Sequence, residues 1–135
     1  MANLATEQVA ALTSTALGGL TTAGIAALTT DQVAALGSAQ MAGLTSGQVA
    51  ALTTAQVAAL TTTAIRGLTS TGLRGLETAD VVALGTDQAA ALTSAQIAAM
   101  STAQVAALET ADLAAVTTAA IRGLTSAQAA ALGTA

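Results

Sequence analysis

Apolar and polar positions recur along this chain with a period of eight residues. The cleanest copies read Leu-Thr-Thr-Ala-Gln-Val-Ala-Ala at 52–59 and Leu-Thr-Ser-Ala-Gln-Ile-Ala-Ala at 92–99. Counting from Leu4 in steps of eight, position 1 is Leu at 15 of 17 sites, with Met100 and Val116 the exceptions. Position 3 is Ser or Thr at all 17, and position 8 is Ala or Gly from Ala11 to Ala131. A fixed short period signals a repeat architecture, in which each unit buries its apolar face only against its neighbours.

Within one octad the pattern predicts a short helix. The hydroxyl at position 3 suits an N-cap, because Ser and Thr side chains accept a bond from a backbone N–H of the first turn. Acids at position 4 (Glu7, Asp31, Asp87) sit favourably against the positive end of a helix dipole. Position 5 is usually Gln, with Asp80 and Asp112 as variants. Position 6 and the next Leu are three apart, so pairs such as Val57 and Leu60, or Ile97 and Met100, share one helical face and form the apolar spine. Small residues at position 8 point to close backbone contact. Gly67, Gly75 and Gly123 are also placed to end a turn in the left-handed conformation.

One continuous helix fails on phase. At about 100° per residue, eight residues leave the apolar stripe about 80° out of register per octad. An even period does preserve a strand's face, so a β-solenoid is the alternative. Ala, Gln and Leu favour helix, however, and β-branched residues concentrate at only three positions. The predicted fold is all-α: a solenoid of about 17 short helix–turn octads over residues 1–135, one domain without distinct capping repeats. Five-residue helices are unstable alone in water, so stability must come from stacking.

Composition narrows the function. Aromatic residues, Pro, Cys, His and Lys are all absent, and the formal net charge is −4. Nothing here captures nucleic acid or an anionic membrane electrostatically. A polar pair in every octad, such as Thr53-Thr54, interrupts any membrane-spanning run. The start of the chain, Met1-Ala2-Asn3-Leu4, has neither the basic region nor the apolar core of a signal peptide.

Runs such as 52–60 resemble the octapeptide arrays of long, repetitive bacterial proteins, many of them surface-associated or secreted. The resemblance covers essentially the whole chain. It implies a scaffold or surface-structure role, outside the cell or at its surface, and brings no catalytic residue with it. Ice-nucleation proteins also carry short Thr-bearing repeats, but their Gly- and Tyr-containing pattern is not present.

Candidate chemistry is sparse. With no His or Lys base and no Cys nucleophile, the Ser and Thr residues read as caps, and no enzyme activity or cofactor is expected. Glu77, Asp80 and Asp87 form the densest acidic group, and Glu109 with Asp112 repeats the first pair's spacing. No calcium-loop motif accompanies them, so no metal site is expected. Arg66, Arg74 and Arg122 all occupy position 7 before a Gly. Arg66 and Arg74 are expected side by side on stacking, as a solvated or ion-pairing face.

The ends carry the remaining expectation. Met1 falls at position 6 and Leu132–Ala135 supply positions 1 to 4, so two copies joined head to tail continue the repeat with only position 5 missing. An interface of that kind that does not close generates a filament. The expected partner is therefore the chain itself, through a seam of Met1, Leu4, Val9, Ala129, Leu132 and Ala135. The alternatives are a binding module using a regular Thr/Ser face, for ice, glycan or another ordered surface, or a passive spacer from a larger protein.

Overall fold

The computed structural model describes residues 3–133. Among them every octad folds into one short helix, from Thr6–Ala10 to Ser126–Leu132, and no strand forms. The helices are four to seven residues long and all begin at position 3. The cap is therefore one residue earlier than the sequence pattern predicts: position 2 is the N-cap and position 3 is the first helical residue. At Thr53 the side chain accepts the Gln56 N–H at 3.2 Å, and the Gln56 Oε1 accepts the Thr53 N–H at 2.8 Å. This reciprocal box satisfies two donors that a helix start otherwise leaves open. The two positions are hard to tell apart because Thr or Ser occupies both in most octads. Geometry separates them, since only a position-2 hydroxyl lies three residues before the position-5 N–H.

Helix exit needs no special residue. At Leu60 the chain turns extended (φ −62°, ψ 135°) while its N–H still bonds the Val57 carbonyl at 3.1 Å. No described Gly has positive φ, so Gly67, Gly75 and Gly123 are not left-handed stops. Their role is close approach between turns, described below.

Positions 1 and 6 are buried through the interior and join into one continuous core cluster from Val9 to Ala120. Val33, Val49 and Val57 are fully buried, and the Leu residues that follow each helix nearly so. Burying a Val or Leu side chain contributes about 1.5–3 kcal/mol relative to leaving it in water. Position 4 and most of positions 2, 3 and 7 stay exposed. Each helix packs on the third one along: Ser38–Ala42 against Thr62–Gly67, Thr86–Ala90 against Thr110–Ala115, Thr102–Ala106 against Ser126–Leu132. Side-chain bonds between turns span 25 to 31 residues. One turn of the coil is therefore about 28 residues, or three and a half octads. No helix among the described residues is long and apolar enough to cross a membrane.

Candidate functional site

The features with chemical content lie between turns. A Gln at position 5 does two jobs. Its Oε1 closes its own capping box, and its Nε2 reaches the turn before. Gln40 Nε2 donates to the carbonyls of Val9 (2.9 Å) and Leu12 (2.8 Å), 31 and 28 residues earlier. Gln48 repeats this on Leu17 and Leu20, Gln56 on Ile25 and Leu28, and Gln88 on Val57 and Leu60. Gln96, Gln104 and Gln128 continue it. The acceptors belong to positions 6 and 1, the residues that also supply the core. These Gln side chains are buried, and a buried amide is tolerated only when its donors and acceptor are satisfied. The ladder went unseen in the sequence because Gln is an ordinary helix former. The signal was its recurrence at a position one residue before the core.

A second octad type lacks the Gln. At 60–67, 68–75 and 116–123, position 5 is Ala64, Gly72 or Ala120, position 7 is Arg and position 8 is Gly. Arg66 Nε donates forward to the Ala91 carbonyl at 3.3 Å and Arg74 Nε to Ala99 at 3.2 Å. Stacked residues lie 25 to 31 apart, so Arg66 and Arg74, eight residues apart, occupy successive octads around one turn. Arg122 is exposed. In these octads backbone contact replaces the missing amide. A Cβ on Gly67 would strike Ser38, one on Gly75 would strike Ser46, and one on Gly123 would strike Ser94.

Asp80 and Asp112 are the buried acids. Asp80 Oδ2 accepts the Glu77 N–H at 3.1 Å, completing half of the box. An ionised carboxylate has no proton to offer the preceding turn. Burial raises the Asp80 pKa. The Glu77 N–H partly opposes this, and the Glu77 charge adds to the rise. Burial also raises Asp112, with Glu109 adding to it. Asp87 is exposed, and among the described residues no three His, Cys, Asp or Glu side chains converge to hold a metal ion.

Two open surface clefts lie between turns. One includes Leu60, Thr61, Thr62, Asp87 and Gln88, and the other Arg66, Thr93, Ser94, Thr117 and Ala120. Among the described residues no hydroxyl in either cleft is hydrogen-bonded to a carboxylate, the contact that activates a nucleophile.

The two faces of the coil differ. On one, Leu4, Leu12 and Leu20 are half-buried, whereas the same position is buried inside. Gln8 is exposed there, with Oε1 already holding the Ala5 N–H at 2.8 Å and Nε2 making no bond among the described residues. On the other face Leu113 and Leu132 are half-buried, Ala129 is exposed and Ile121 is 36% exposed. Of the predicted seam, Leu4, Ala129 and Leu132 lie on these faces. Val9 is fully buried and does not. Met1 and Ala135 lie outside the described residues.

A coil of capped, five-residue helices tied turn to turn by side-chain amides defines an α-solenoid of octapeptide repeats. The chain belongs to the ALTTAQ repeat family, whose model matches residues 1–38, 34–62, 62–94, 73–110 and 105–135. No curated protein and no solved structure matches it.

Proposed function

We propose that the protein is a non-catalytic structural module that stacks head to tail, copy upon copy, into filaments or a scaffold. The observation that carries this reading is the chemical complementarity of the two faces. One offers half-covered Leu side chains and the Gln8 Nε2, which makes no bond among the described residues. The other offers half-covered position-6 side chains and carbonyls of the kind that Gln side chains bind in the interior. Unlike patches on opposite faces make a heterologous contact, which propagates into a filament wherever its rotation does not close a ring. The resemblance to repetitive bacterial surface proteins favours a site of action at the cell surface or beyond it. Sedimentation velocity over a concentration series, with electron microscopy of the same samples, tests the assembly. We expect growing species and thin filaments of uniform width. A single monomer boundary at every concentration would overturn it.

A further inference from the structure

The interior obeys a pairing rule that specifies which residues meet between two copies, and this inference rests on the stacking reading above. Four position-3 Ser residues face the position-8 Gly 29 residues further along. A Cβ built on Gly43 would lie 2.6 Å from the Ser14 carbonyl oxygen and 2.8 Å from the Ser14 Cβ. Gly67 meets Ser38, Gly75 meets Ser46 and Gly123 meets Ser94 in the same way. At such contacts a Cβ on the Gly has no room beside the Ser backbone. Thirteen pairs at this spacing run from Thr6/Ala35 to Thr102/Ala131. All four Gly face Ser, and eight of the nine Ala face Thr, with Ser70/Ala99 the exception. Seams between turns are thus either tight (Ser with Gly) or wide (Thr with Ala), and Thr with Gly never occurs.

Two members of the tight Ser/Gly set have no counterpart within the described residues. Gly19 is a position-8 Gly, yet a Cβ there would meet only its own helix, at 3.4 Å from the Ala16 oxygen. Ser126 is a position-3 Ser on the opposite face. We propose that a second copy of this chain docks with its Gly19 over Ser126 of the first and its Ala11 over Thr118, making one tight and one wide seam. The same register carries Gln8 to the Leu113 and Val116 carbonyls at the interior spacings of 31 and 28 residues. Sliding the second copy back one octad pairs Gly19 with Thr118 and Ala27 with Ser126, and lays Asn3–Ala5 over Ala131–Gly133, where chain already stands.

The chain has no native Cys, so single-cysteine variants report the register directly. Thr118→Cys mixed with Ala11→Cys, under mild oxidation, is expected to give at least about tenfold more disulfide-linked dimer than Thr110→Cys with Ala11→Cys, because bridging requires Cα atoms within about 7 Å. Sedimentation of the uncrosslinked mixtures is read alongside. Assembly together with equal or reversed crosslinking overturns the register and leaves stacking standing. No assembly and no crosslink overturns both. Gly19→Ala supplies an independent arm. Its fold, read by circular dichroism and melting, is expected unchanged or slightly firmer, while the concentration needed for assembly rises about tenfold, the change a loss of 1.4 kcal/mol produces. Unchanged assembly in that variant removes Gly19 from the interface and overturns the proposed pairing.

Discussion

A Gln and an Asp at the same repeat position differ by one methylene and by what they can donate. Gln56 gives its amide protons to Ile25 and Leu28 and takes the Thr53 N–H. Gln56→Ala removes every one of these side-chain bonds at a buried site, so we expect a loss of about 1–3 kcal/mol in urea unfolding. Asp80 cannot act as an amide donor. Asp80→Gln is expected to add about 1 kcal/mol by completing the bonds to Val49 and Leu52, the carbonyls 31 and 28 residues before it. The carboxyls also set a pH dependence. Asp80 and Asp112 have folded-state pKa values raised above the ordinary 3.8, so the folded state holds their protons more tightly than the unfolded chain does. That contribution is complete below the unfolded value and is lost as pH rises through the raised folded values. The melting temperature of the wild type should therefore climb as pH is lowered from neutrality toward about 4. The double variant Asp80→Asn, Asp112→Asn should show a flatter profile, and an unchanged slope would contradict this account.

At the scale of the element, the octad was largely legible and its neighbours were not. Helix rather than strand followed from Ala, Gln and Leu at fixed places, and the spine of positions 6 and 1 followed from a three-residue spacing; both are found. The cap shifted by one residue because Thr53 and Thr54 offer the same hydroxyl, and only a folded helix start chooses between them. At the Gly residues the expected close backbone contact is found, and the left-handed stop is not. Local conformational freedom and close approach both select Gly, and sequence alone does not show what stands opposite. Once the turn length is known, the Ser/Gly pairing 29 residues apart becomes readable from the letters. It also separates two substitutions alike on paper. Gly67→Ala forces a Cβ into the Ser38 backbone and should cost about 1–3 kcal/mol, as overpacking does. Gly19→Ala meets nothing beyond its own helix and should gain up to about 1 kcal/mol, because Gly in a helix carries an entropic cost. Denaturant titration of both variants checks the contrast.

For the whole molecule, each turn is held by the turn on either side, so stability is a sum of weak units and strong junctions. Five-residue helices have no independent existence in water. Shortening the coil by one turn, removing residues 106–133, should lower the urea midpoint and the slope together, because the slope follows the surface exposed. A drop in midpoint at constant slope would mean that the last turn is not part of the cooperative unit. The turn length of about three and a half octads has a mechanical consequence. Because the count is half-integral, each helix straddles the boundary between two helices of the turn before, as bricks do in a running bond. No straight joint runs along the axis, and no crack can travel lengthwise through the linkers alone. Pulled from its ends, such a coil has to give way course by course, each course costing its own Gln ladder.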